Sequence, residues 1–321
     1  MRLGVKQFFA IAGLTALEAV RQPIVLLLST FTVVFIGLLP FFVIFTIGDT
    51  ERLVRDSALS IQFVVGLVLG GYAACATLTH EIRRGTVGSV LSKPVNRVVF
   101  FLAKYAGIAI VTILFSTVAA VATLLSTRAS AGDYVLDWWA AGPLLAAAPV
   151  AFAIAAFQNF FLRRLFVSRA FGLLVLACLA ALAIATFVGP DGTYGPPADH
   201  LAWPILRASI LIAMAVLVLA AIAVSLATRL DAAPTVTICG FVFIAGLMSD
   251  YLFGRHAGVS AWANAAYHVV PNWQHFWVVD ALSRNGIPWS YVAQAGAYAA
   301  LYLAGVLCLG IVAFRRMEVR G

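Results

Sequence analysis

Eight runs of mostly apolar residues, each long enough to cross a bilayer, leave this chain few folds to choose from. A spanning helix needs about 20 such residues. Runs of that kind fall near 24–47, 59–79, 98–125, 139–162, 169–188, 204–228, 235–253 and 289–314. In lipid each backbone N–H and C=O must be satisfied by the chain itself, so runs of this length read as helices. The expectation is an all-α polytopic membrane protein of about eight transmembrane helices, with residues 23–321 as its transmembrane domain. Composition agrees. Only 11% of residues are charged and the mean hydropathy is +1.01, whereas soluble domains carry about 25% charged residues.

Turn and charge signals separate the runs: GDTERLVRDS, HEIRRGTVGSVLSKPVNR, STRASAGDYVLD, LRRLFVSR, GPDGTYGPPADH and TRLDAAP. With both termini cytoplasmic, six of the 21 cations fall outside: Arg52, Arg55, Arg128, Arg207, Arg255 and Arg284. The rest stay inside, and most acids fall outside. An even number of spans satisfies the positive-inside rule in this way. The net charge of +8 is therefore read as membrane orientation and not as a nucleic-acid surface.

Residues 1–22 form a separate segment. Val5, Phe8, Phe9 and Ala12 follow helical spacing among Arg2, Lys6, Glu18 and Arg21. That pattern predicts an amphipathic helix lying on the cytoplasmic leaflet; an ordinary frayed N-terminus is the plainer alternative. The four cysteines stand alone within apolar runs, without metal or redox spacing.

The stretch HEIRRGTVGSVLSKPVNR (80–97) is dense in cations for so apolar a chain. Glu81 ends one run, Gly85 breaks the helix, and Thr86 can cap a new one. Val87, Val90 and Leu91 then share a face, Pro94 stops the turn, and Arg97 and Lys104 anchor the next span. The product is a short apolar-faced helix below the membrane, suited to a partner's groove. A loop that merely obeys the positive-inside rule is an equal reading.

E-I-R-R-G-T-V-G-S-V-L-S-K-P-V-N-R, followed by F-x-x-A-K-Y-x-G, resembles the cytoplasmic signature of type-2 ABC transporter permeases. A second, weaker match is VVPNWQHFWVVDALSRNGIPWSYV before a last span ending F-R-R-M-E. The resemblance implies that Glu81, Arg83, Arg84, Gly85, Thr86, Val87, Val90, Leu91, Pro94, Arg97 and Lys104 couple the chain to an ATPase. It implies a separate ABC ATPase subunit, a second permease subunit (a copy or a paralogue) and a bacterial inner membrane. Members commonly have six spans, so a surplus pair is expected near 139–188. No GxxxxGK[ST] loop is present. The chain is thus expected to be no enzyme and to hold no cofactor, with ATP bound by the partner.

Gly66 and Gly70 form a GxxxG pair whose expected role is close helix packing, within the chain or across a dimer. Residues 254–288 are expected as an outer, re-entrant-like segment. Pro271, Trp273, His275, Phe276, Trp277 and Asp280 would lie at headgroup depth there. Two alternatives remain. One is a membrane enzyme in which His200, His268, His275, Asp199 and Asp280 converge; the other is a channel or secondary transporter. The substrate is left open.

Overall fold

The computed structural model describes residues 2–43, 49–83, 96–131, 135–195, 201–256, 258, 260–282 and 286–315. The side chains of residues 2, 3 and 78–83 are outside that description. Among the described residues the fold is all-helical, with one isolated bridge between Val188 and Tyr194.

Among the described residues seven helices are long and apolar enough to cross a membrane, or eight if the bent pair Ala232–Leu247 and Ser249–His256 is one span. The seven are α2 (Pro23–Val43), α3 (Thr50–Arg83), α4 (Arg97–Ala129), α5 (Trp138–Leu162), α6 (Phe166–Phe187), α7 (Pro204–Ala227) and α12 (Trp289–Arg315). They are preceded by α1 (Arg2–Val20). Between α7 and α12 lie α8 (Ala232–Leu247), α9 (Ser249–Leu252), α10 (Ala261–Val269) and α11 (Val279–Leu282).

The run expected at 235–253 is not one straight helix. α8 has 16 residues, roughly 24 Å, short of a hydrocarbon core about 30 Å thick. After Leu247 the chain bends by 70° into the Ser249–His256 segment. The apolar composition promised a span, but hydropathy does not register a backbone bend. The helix ends also differ from the apolar runs. α3 starts at Thr50, inside the stretch read as a break, where Arg52 pairs with Asp56 one turn on at 3.6 Å. Hydropathy marks where lipid begins, not where a helix ends.

The spans alternate in direction, which gives the bundle two ends. Arg97 at the start of α4 donates to the Arg315 carbonyl at the end of α12 (3.1 Å), and Arg229 beyond α7 donates to the Ala313 carbonyl (2.8 Å). This is the basic end. At the far end Arg207, in the first turn of α7, lies 5.3 Å over the Trp289 ring and bonds the Ile287 carbonyl at 2.6 Å. α12 therefore runs from far end to basic end, and residues 230–288 must cross back between them.

α3, α4 and α7 form the centre. Gly66 and Gly70 put α3 against α7: a Cβ on Gly66 would lie 2.8 Å from Val216 Cγ2, and one on Gly70 3.2 Å from Val216 Cγ1. The close approach is within one chain. Gln62 and Ser209 bind each other beside it, Ser209 Oγ to Gln62 Oε1 at 3.1 Å. Further cross-helix bonds run from Ser126 to the Ile36 carbonyl (2.7 Å) and from Tyr105 to the Leu217 carbonyl (3.2 Å). Small residues and such hydroxyls are what hold helices together in lipid. On one flank α5 and α6 pack through alanines, among them Ala141, Ala148, Ala181 and Ala185. On the other flank lie α8 and α12.

α1 packs on the bundle through one face. Its buried positions are Ala12, Thr15 and Ala19, while Val5, Phe9, Leu14 and Leu17 are exposed. A Cβ on Gly107 of α4 would lie 2.6 Å from the Ala12 carbonyl, so α1 docks where α4 has no side chain. The fully buried positions are small residues, with Ile11 and Val20 partly buried beside them.

Candidate functional site

Three features of the α7–α12 flank could act together. The first is a latch at the basic end. Arg97 and Arg229, from different helices, both grip the last turn of α12. Seven residues along α4, Lys104 is buried, with its Nζ 3.9 Å from Glu18 of α1 and 5.6 Å from the Phe100 ring centre. Phe100 in turn stacks on Phe314 of α12 (5.8 Å). The stem that follows the 80–97 stretch is thus tied to α1 and α12 at once.

The second is a cavity of about 560 Å³ between α7, α8 and α12, reaching from Arg229 and Ala313 to Val269, Pro271 and Tyr302. Its walls are almost wholly aliphatic; Ser225, Arg229 and Tyr302 are the polar side chains. Its size lies in the range of small-molecule sites, about 300–1,000 Å³.

The third is the segment after the bend. Tyr302 sits midway along α12, and its hydroxyl bonds the Val269 carbonyl at 2.6 Å. The chain therefore dips from α9 to the middle of α12 before climbing to Trp289. Polar side chains hold the dip. Asp250 Oδ1 accepts from Tyr267 Oη (2.9 Å) and Asn272 Nδ2 (2.8 Å), and Asn272 N–H donates to Tyr298 Oη (3.2 Å). Gln274 reaches the Leu247 carbonyl at 3.2 Å, across the bend.

The expected outer residues differ in burial. Pro271 and Trp273 are buried against Gly246 of α8. Phe276 is buried beside Trp273 and Tyr298, and Trp277 stacks on Phe63 at 5.7 Å. His275 is exposed, with its ring 5.2 Å from Tyr298. Asp280 is exposed on α11. Among the described residues no three His, Cys, Asp or Glu side chains gather as a metal site. His200 and Asp199 lie outside the described residues, as do Arg84, Gly85, Thr86, Val87, Val90, Leu91 and Pro94; Glu81 and Arg83 are described only as backbone of α3.

One contact escaped sequence reading. At the far end Arg128 Nε meets Asp137 Oδ2 at 2.7 Å, and Arg128 also binds the carbonyls of Ala185 and Val188. Asp137 caps α5 through the Trp139 N–H (2.9 Å). The Asp before a long apolar run was a readable capping signal; its partner nine residues earlier was not.

No family model matches this chain, and no curated protein matches its sequence. The fold defines an all-helical, multi-pass membrane protein.

Proposed function

We propose that this chain is the membrane subunit of an ATP-driven exporter of the type-2 ABC permease kind, energised by a separate ATPase subunit in the bacterial cytoplasmic membrane. A second permease subunit would complete the pathway. The observation that carries this reading is the EIRRGTVGSVLSKPVNR stretch joining α3 to α4 at the basic end. The positive-inside rule puts that end, and with it both ends of the helical chain, in the cytoplasm. α1 then lies on the cytoplasmic side of α4.

The latch gives the reading a mechanical route. A push on the α3–α4 stretch would move Arg97, and Arg97 holds the end of α12. α12 is one wall of the aliphatic cavity, so the same push would reshape that space. The substrate this space favours is largely apolar.

The test is purification of the tagged chain from its native membrane in mild detergent, with and without Leu91→Asp. The expected result is a co-purifying nucleotide-binding subunit that is lost in the variant at unchanged expression. An ATPase absent from the wild-type preparation in several detergents, or retained by Leu91→Asp, would overturn the coupling role.

A further inference from the structure

We infer that the tip joining α5 to α6 is a binding site for the phosphate headgroup of an anionic membrane lipid. Three residues, 163–165, make the connection between helices of 25 and 22 residues. Those helices are roughly 37 and 33 Å long, little more than the hydrocarbon core of about 30 Å. Their tip must therefore sit in the headgroup layer and cannot extend far beyond it.

The tip carries Arg163, Arg164 and Arg169. Among the described residues none of their guanidinium groups has a hydrogen bond or ion pair. No Asp or Glu occurs between Asp137 and Asp191, and among the described residues no carboxylate pairs with these guanidinium groups. Around them stand exposed Phe160, Phe161 and Leu165, at 79%, 66% and 59% exposure. Cations ringed by exposed apolar groups suit the boundary between headgroup and acyl chain. A guanidinium fork also matches phosphate geometry.

The backbone supplies the separate clue. Arg163 has φ +51°, the only positive φ at a non-glycine among the described residues. A helix C-cap in this conformation normally takes glycine. The turn itself is held by backbone and by Asn159: the Arg163 and Arg164 N–H groups reach the Gln158 carbonyl, and Asn159 Nδ2 reaches the Arg164 carbonyl at 2.6 Å. None of these bonds needs the Arg163 side chain. A local rule broken without structural return marks a functional position. Orientation by positive charge alone explains a cation in this loop, but not one placed where glycine belongs.

This inference does not rest on the exporter reading. It is tested on the purified full-length protein by native mass spectrometry, titrating phosphatidylglycerol and, separately, phosphatidylcholine. The wild type is expected to prefer phosphatidylglycerol. Arg163→Gly, which relieves the backbone, should cut that preference about fivefold, since each arginine near an anionic headgroup contributes about that factor. Its thermal midpoint should be unchanged or higher. Arg163→Lys should retain part of the preference, and millimolar inorganic phosphate should not displace the lipid. Equal affinity for the two lipids, or an unaltered preference in Arg163→Gly, would overturn the proposal. Displacement by inorganic phosphate would make this a free-phosphate site and overturn it as well. Loss of a co-purified protein with lipid preference intact would assign the patch to a protein partner and have the same consequence.

Discussion

Arg128 and Asp137 form an ion pair of 2.7 Å with both side chains almost fully buried, and it ties together the end of α4, the start of α5 and the end of α6. Removing one partner strands the other charge where water cannot reach it. Asp137→Ala is expected to cost about 3 kcal/mol or more. The check is chemical unfolding in micelles. Arg128→Met/Asp137→Ala should recover part of the loss, because no lone charge then remains buried.

Gly66 and Gly71 give a matched pair of substitutions on α3. A Cβ at Gly66 would press on Val216 Cγ2 at 2.8 Å, whereas Gly71 has nothing within 4 Å. Gly66→Ala should lose about 1–3 kcal/mol through overpacking. Gly71→Ala should be neutral or slightly stabilising. Val216→Ala should rescue Gly66→Ala if the clash is the cause. Equal unfolding midpoints for the two alanine variants would refute the packing account.

Gly107 is where α1 leans on α4. The Ala12 carbonyl and Thr15 occupy the space that a side chain would need. Gly107→Val is therefore expected to lift α1 while leaving the bundle inserted. The readout is maleimide labelling of Ala12→Cys, slow in the wild-type background and faster by severalfold in Gly107→Val.

Arg97→Gln and Arg229→Gln each remove a grip on the last turn of α12. Both bonds are exposed, so stability should change by less than about 1 kcal/mol. Transport, measured in vesicles containing the ATPase, is expected to fall severalfold in each variant. The double variant should fall further than either single one, since each single variant leaves one grip on the same turn. Wild-type transport by both would remove the latch from the mechanism.

The number of apolar runs could be read from the sequence because the bilayer sets a length scale that composition reports directly. What could not be read is everything that depends on side chains meeting at long range. The α5 cap at Asp137 was legible, while Arg128 as its partner was not, because the pairing also needs α6 to bring the Ala185 and Val188 carbonyls alongside. Val5 and Phe9 suggested a membrane-facing stripe on α1. Both are exposed; the docking face, made by Ala12, Thr15 and Ala19, went unread because small residues leave little mark on a hydropathy pattern. The bend after Leu247 was hidden because nothing at Met248 or Ser249 breaks a helix. It is held from outside, by Gln274 and by the Asp250 network.

That last dependence has a consequence for biosynthesis. Gly246 is hydrogen-bare because the Pro271 carbonyl and the Trp273 indole fill the space beside it, and Trp273 Nε1 donates to the Val242 carbonyl at 3.4 Å. Those groups are added to the growing polypeptide some 25 residues after Gly246. Tyr298 and Tyr302, which fix the dip from the other side, follow later still. The bent segment after α8 therefore cannot reach its final shape in the order in which it is translated. Its packing on Tyr298 and Tyr302 can form only once α12 has been made, so the bend is completed by residues translated well after it.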